Sequence, residues 1–234
     1  MTPTEWQALA LSAQVALAAT ALCVPPGILA GWVLARYQFP GKLALEIALQ
    51  LPMVLPPVVP GVLLLWLFGT QGPIGAWLYD AFGLVLAFDW KGAVVASAVM
   101  AFPLLVQPIR IAFQLQDPRL LQAAATLGAR PGDAFFTIAL PLALPGLLGG
   151  TVLCFSRSLG EFGATMAFVG NIPGATQTLP LAIYSAMNVP GDSAVVVRLV
   201  ALSIGIAVLA LAGSHWLTRH MERRLGFADP EPRA

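Results

Sequence analysis

Arg157, Ser158 and Glu161 stand together at the end of an otherwise apolar stretch. Ionisable groups in such a setting face a bundle interior, a partner or water. The Arg157 guanidinium suits an anion, whereas Glu161, four residues on, would neutralise it as an intrahelical pair. Both readings are open, and the pair is favoured because a path that lets an ion through must hold it weakly. Thr165, Asn171, Thr176, Gln177 and Thr178 come next, with hydroxyl and amide groups that suit a wet path and that ordinary loop capping also explains. For His215 and His220, five apart, no Cys or carboxylate completes a metal-ligand set, so no metal site is expected. Cys23 and Cys154 each lie in apolar runs, where a thiol packs as a small hydrophobe and a disulfide is not expected. The Gly41-Lys42 pair lacks both the upstream glycine and the following Ser or Thr of a phosphate-binding loop, so a nucleotide must be hydrolysed elsewhere if at all.

The elements that carry these residues belong in lipid. Of 234 residues, 58% are hydrophobic and 10% charged, against about one-quarter charged in a soluble domain. Residues 6–35, 47–79, 92–109, 134–156 and 199–218 contain no Asp, Glu, Lys or Arg, and about 20 apolar residues suffice to cross a bilayer. The first run begins after Glu5 with no early Lys or Arg, so it is read as a retained span and not a signal peptide. A net charge of +1 without a basic run gives no reason to expect nucleic acid as a partner.

Five crossings with the N-terminus outside place nine of the twelve basic residues inside: Arg36, Lys42, Arg110, Arg119, Arg130, Arg219, Arg223, Arg224 and Arg233. Only Lys91, Arg157 and Arg198 remain outside. Excess Lys and Arg mark cytoplasmic loops, which selects this orientation over its reverse. Residues 69–91, with glycines, Pro73, Asp80, Asp89, Trp77, Tyr79 and Trp90, form the alternative sixth crossing, but read better as an interfacial segment. Pro52, Pro56, Pro57 and Pro60 exclude a straight second span and leave either a bent packing helix or one broken beside a path. Residues 160–192, nearly uncharged yet rich in Asn, Pro, Gly and Thr, are expected to be non-helical backbone at the mouth or gate of a path.

Between the third and fourth spans, Asp117 and Pro118 are spaced as an N-cap and first helical residue, and Leu120, Leu121, Ala124 and Leu127 then share one helical face. Gly128 and the Arg130, Pro131, Gly132 cluster end this short helix. Its apolar face needs either the membrane surface or a groove on a soluble partner.

This loop resembles the EAA loop of ABC importer permeases, with Gln122, Ala123, Ala124, Gly128, Ile138, Leu140 and Pro141 at the family's spacings and Gln122 where glutamate is usual. The resemblance implies an all-α membrane protein with a type I ABC importer permease fold, of about five transmembrane helices, in one domain over residues 1–234. It assigns the coupling loop to 114–137, with residues 118–136 docking in an ATPase cleft, and leaves a cytoplasmic tail at 218–234. The stretch 156–184 resembles molybdate permeases closely, and sulfate and tungstate permeases less so. The partners implied by the resemblance are a second copy of this chain, two ABC ATPase subunits and a periplasmic oxyanion-binding protein. ATP and Mg would then act in the ATPase, with no cofactor on this chain, and the assembly would sit in the bacterial inner membrane. An intramembrane enzyme would need paired carboxylates, a Ser/His dyad or a metal cluster, which the spans do not offer. A membrane scaffold would leave the loop pattern unexplained.

Overall fold

The computed structural model describes residues 2–191 and 193–225, with side chains to residue 213, and every regular element among them is helical. α1 (Pro3–Arg36) opens on a capping box: Thr2 Oγ1 accepts from the Glu5 amide at 3.3 Å, and Glu5 Oε2 accepts from the Thr2 amide at 2.8 Å. α2 (Lys42–Val54) and α3 (Val58–Phe68) meet at a 113° bend. Pro56 and Pro57 cannot donate to the carbonyls of the preceding turn, so the chain breaks there and is not one bent helix. α4 (Pro73–Phe82) is only 10 residues long, about 15 Å, and cannot cross a bilayer. Trp77, Tyr79 and Phe82 are exposed on it, as an interfacial segment requires.

α5 (Trp90–Gln114) is the central column. It is followed by α6 (Pro118–Thr126), α7 (Pro131–Ala134), a π-turn over Phe135–Ala139, and α8 (Leu140–Leu142), which bends by 67° into α9 (Leu144–Leu159). α10 (Gly163–Val169), α11 (Leu179–Met187) and α12 (Ser193–Leu225) complete the chain. Residues 160–192, expected to be non-helical, therefore hold two short helices flanking an irregular stretch at 170–178. The buried Ser12 of α1 supplies the cap that the Thr178 side chain does not: Ser12 Oγ accepts from the Leu179 amide at 2.6 Å, capping α11 from a neighbouring span.

Glycine pairs set the packing around α5. On α1, a Cβ at Gly27 would stand 2.6 Å from Leu105 Cδ2, and one at Gly31 would stand 2.6 Å from Ile109 Cγ2. On α9, a Cβ at Gly146 would lie 2.6 Å from the Pro108 carbonyl oxygen, and one at Gly150 2.7 Å from that of Leu105. Both pairs have the small-xxx-small spacing that lets membrane helices approach to backbone contact. Their partners rise together along α1 and α5 and run oppositely along α9 and α5, so α1 and α5 are parallel and α9 is antiparallel. The chain must return between α1 and α5, and the bent pair α2 and α3 is that return. α1, α5 and α12 are long and apolar enough to cross singly, and counting each bent pair as one pass gives five. α12 starts at the same end as α1, where Arg198 Nη2 donates to Glu5 Oε1 at 2.8 Å. The expected tail at 218–234 is helical as far as Leu225; its remainder lies outside the described residues, as do the side chains of His215 and His220.

Candidate functional site

α6 stands at the end where α1 finishes and α2 begins, the end that carries Arg36, Lys42, Arg110, Arg119 and Arg130. Asp117 caps it, its Oδ1 accepting from the Arg119 amide at 2.9 Å, with Pro118 at the first turn. The helix ends in a Schellman motif: the Ala129 amide donates to the Ala124 carbonyl and the Gly128 amide to that of Ala125, both at 3.0 Å. Gly128 takes φ +86, a conformation that glycine adopts without strain. A Cβ there would meet nothing within 4 Å, so the glycine answers to the backbone of the turn and not to crowding within this chain.

The apolar face expected on this helix is divided. Leu121 packs on the core and Ala124 is buried, but Leu120 is 46% and Leu127 88% exposed. The four span a wide arc, and only its middle and one edge reach the membrane helices. Gln122 and Ala123 also face outward. Phe136 and Leu115 extend the exposed apolar surface beside them. Of the remaining loop positions, Ile138 lies in the π-turn and Leu140 and Pro141 begin α8, all half-buried. Pro141 has no N–H for Thr137 and Pro145 none for Pro141, so the ladder slips: the Leu140 amide reaches back five residues to Phe135. The absence of charge marks residues 134–156 as one candidate span but does not place this hinge, although both prolines announce it.

Below α6, Trp32 of α1, Phe113 of α5 and Phe135 of the π-turn form an aromatic triangle, with Trp32 centred 5.0 Å from each of the other two. Arg36 lies over Trp32 at 5.4 Å, and its Nη2 donates to Gln116 Oε1 at 3.2 Å. Gln116 Nε2 in turn donates to the Ala139 carbonyl at 2.8 Å. Alongside, Arg110 of α5 pairs with Glu46 of α2 at 2.9 Å.

At the other end, Arg157 and Glu161 form the expected pair, Nη1 to Oε2 at 2.6 Å, a close ion contact more than an aligned hydrogen bond. It is not intrahelical, because α9 stops at Leu159. Glu161 instead bridges two helices: its Oε1 accepts from the Ala164 amide at 2.9 Å in the first turn of α10, while Arg157 sits in the last turn of α9. Each charge complements the dipole of the helix end it occupies. Ser158 Oγ is buried beside the Cys154 thiol, a weak partner, and the Thr165 and Thr178 hydroxyls are buried without a hydrogen bond. Cys23 and Cys154 are free and buried, with Cys23 Sγ donating to the Ala98 carbonyl at 3.5 Å.

Asn171 and Gln177 belong to a separate network. Gln177 Nε2 donates to Asn171 Oδ1 at 2.9 Å, and Asn171 Nδ2 donates to Ser185 Oγ at 2.7 Å, while Thr176 Oγ1 accepts from the Ile172 amide at 3.0 Å. These groups close the 170–178 stretch onto α11 and share no hydrogen bond with the Arg157–Glu161 pair. Ser185 was not anticipated, because it lies in an ordinary apolar helix.

Known proteins share this architecture. The model of the binding-protein-dependent transport system inner membrane component family matches residues 27–226. The chain is 52% identical over 226 residues to the molybdenum transport system permease protein ModB of Escherichia coli K12, covering 97% of this chain and 99% of that one. It is 50% identical to ModB of Haemophilus influenzae, over 95% and 97% of the two chains. The sulfate transport system permease protein CysT of E. coli K12 is 36% identical, covering 76% of this chain and 65% of that one. Among solved structures, a bacterial ABC transporter importing alginate superposes with TM-score 0.71 over 96% of this chain and 80% of its own, at 17% identity. The MetNI methionine ABC transporter does so with TM-score 0.68 over 94% and 99%, also at 17%. The fold is that of ABC importer permeases, and the chain is a multi-pass inner-membrane protein that belongs to the binding-protein-dependent transport system inner membrane component family.

Proposed function

We propose that this chain is the permease subunit of an ABC importer for molybdate, with α6 as the coupling helix that an ATPase subunit grips. The outward face of α6 carries this reading: a capped, glycine-closed helix presents exposed Leu120 and Leu127 beside Gln122 and Ala123 at the basic end of a membrane bundle. Exposed apolar groups on a short rigid element, outside any span, call for a groove on a soluble partner. The positive-inside bias supports placing that end, and the C-terminus, in the cytoplasm and the N-terminus in the periplasm. The partners are then a second copy of this chain, two ABC ATPases that use ATP and Mg, and a periplasmic oxyanion-binding protein. Molybdate is favoured over sulfate by the relatives' names, at 50–52% identity against 36%. Arg157, Ser158, Glu161, Thr165, Asn171, Thr176, Gln177 and Thr178 are the proposed lining or gate at the periplasmic end, with the Arg157 charge largely neutralised by Glu161.

The test is reconstitution of the permease with its ATPase and binding protein in proteoliposomes, supplied with molybdate, tungstate or sulfate. Molybdate should stimulate ATP hydrolysis and accumulate inside. Accumulation of sulfate in preference to molybdate would overturn the substrate, and no oxyanion accumulation at all would overturn the function.

A further inference from the structure

We infer that Gln116, which lies in the coupling loop but is none of its pattern positions, is a positioning residue that ties the coupling helix to both the end of α1 and the hinge of the fourth pass. The inference rests on the coupling role proposed above for α6. Gln116 is two residues past α5 and two before α6, so any displacement of α6 moves it. Its amide is used at both ends: Oε1 accepts from Arg36 Nη2 at 3.2 Å, and Nε2 donates to the Ala139 carbonyl at 2.8 Å. Ala139 is fully buried and ends the π-turn. Its carbonyl also accepts from the Ala143 amide at 3.1 Å, and that amide is shared with the Leu140 carbonyl at the same distance, just where the pass bends by 67°. A π-turn with a bifurcated amide at a proline break is a place where the ladder can shift register at small cost.

The other end of the loop returns to the same spot, because Phe135 packs on Trp32 and Phe113. Residues 116 and 135 thus close the loop on α1 and α5, and α6 moves as a handle fixed at both ends. Among the described residues, the Gln116–Ala139 bond is the side-chain hydrogen bond that reaches from the α5 root of that handle to the hinge. An amide is the side chain suited to the position, since Arg36 needs an acceptor and the Ala139 carbonyl needs a donor. Arg36 is held for this contact by its stacking over Trp32.

Two variants separate the arms. Gln116→Glu keeps, and strengthens, the acceptor for Arg36, but an ionised carboxylate cannot donate to the Ala139 carbonyl; Gln116→Met removes both bonds at similar length. Each is reconstituted with the ATPase and binding protein, and molybdate imported per phosphate released is measured at matched expression, with the melting temperature of the detergent-solubilised complex recorded. Both variants should retain the ATPase and hydrolyse ATP, yet lose at least about fivefold in import per ATP, the lower end of typical coupling between sites. A wild-type ratio in both overturns the inference. So does loss of the ATPase from both, which would make Gln116 a docking or folding residue. Should Gln116→Met melt too early to assay, Gln116→Glu decides, because its charge-assisted contact with Arg36 keeps the α1 side closed. A Leu127→Asp permease serves as the reference for the underlying reading. If it keeps its ATPase and imports normally, the coupling role of α6 fails; if it is defective while both Gln116 variants couple normally, only the positioning role of Gln116 fails.

Discussion

At the scale of single residues, the Arg157–Glu161 contact ties the last turn of α9 to the first turn of α10. Arg157 and Glu161 are joined at 2.6 Å, but across a helix break, with Glu161 2% exposed and Arg157 29%. Glu161 also caps α10 through the Ala164 amide, so it has two functions that a spacing of four residues does not reveal. Replacing Arg157 by Met should leave a buried carboxylate with one remaining partner, and replacing Glu161 by Gln should leave the guanidinium without a counter-charge. Each single change is expected to cost roughly 1–3 kcal/mol of stability in detergent. The double variant should lose less than the sum of the two, with a coupling of about 0.5–3 kcal/mol. Strictly additive losses in a chemical or thermal unfolding cycle would mean that the ion contact contributes nothing beyond the cap. Gly128 was legible for a stronger reason. A helix that ends just before an Arg-Pro-Gly cluster needs a left-handed residue, and the glycine lies at φ +86.

At the scale of elements, α6 and its Asp117 cap could be read directly, because capping is local chemistry. The departure of the second pass from a straight helix could be read from its four prolines, but the hinge of the fourth pass and the close approaches could not, although their signals were present. Gly27 and Gly31 of α1, and Gly146 and Gly150 of α9, have the spacing for backbone contact, but the sequence does not say which helix receives them. The structure answers with α5 on both sides. Adjacent glycines on α9 give a controlled test. A Cβ at Gly150 would sit 2.7 Å from the Leu105 carbonyl oxygen, which belongs to a rigid helix, whereas one at Gly149 would meet nothing within 4 Å. Gly150→Ala should therefore destabilise the bundle by about 1–3 kcal/mol through overpacking. Gly149→Ala should be neutral or stabilising by up to about 1 kcal/mol, the helix preference of alanine over glycine. Equal melting temperatures for the two variants would contradict the packing of α9 on α5.

For the whole molecule, the direction of each pass is set by contacts: α1 and α5 run parallel, α9 runs against them, and α12 begins beside the start of α1. A reporter fused after Arg119 should then report the opposite side of the membrane from one placed near Asp80, and the basic residues predict that the Arg119 side is cytoplasmic. Signals from the same side at both positions would contradict the five-pass arrangement; opposite signals in the reversed sense would contradict the orientation alone. Residues 69–91 favour five passes over six, because α4 is only 10 residues long. The sequence by itself determined that the chain lives in lipid, how many apolar runs it has, and where its basic residues and its capped loop helix fall. Those depend on composition and on interactions within a few residues of one another, which form without distant parts of the chain having to meet. Only the tertiary structure decided that the second pass is broken and not merely bent, that the fourth is hinged as well, that α5 is held between two glycine pairs, and that Gln116 joins Arg36 to Ala139. These depend on groups as many as 80 residues apart whose meeting no local rule specifies, since a proline or a glycine permits a break or a close approach without naming what will fill it.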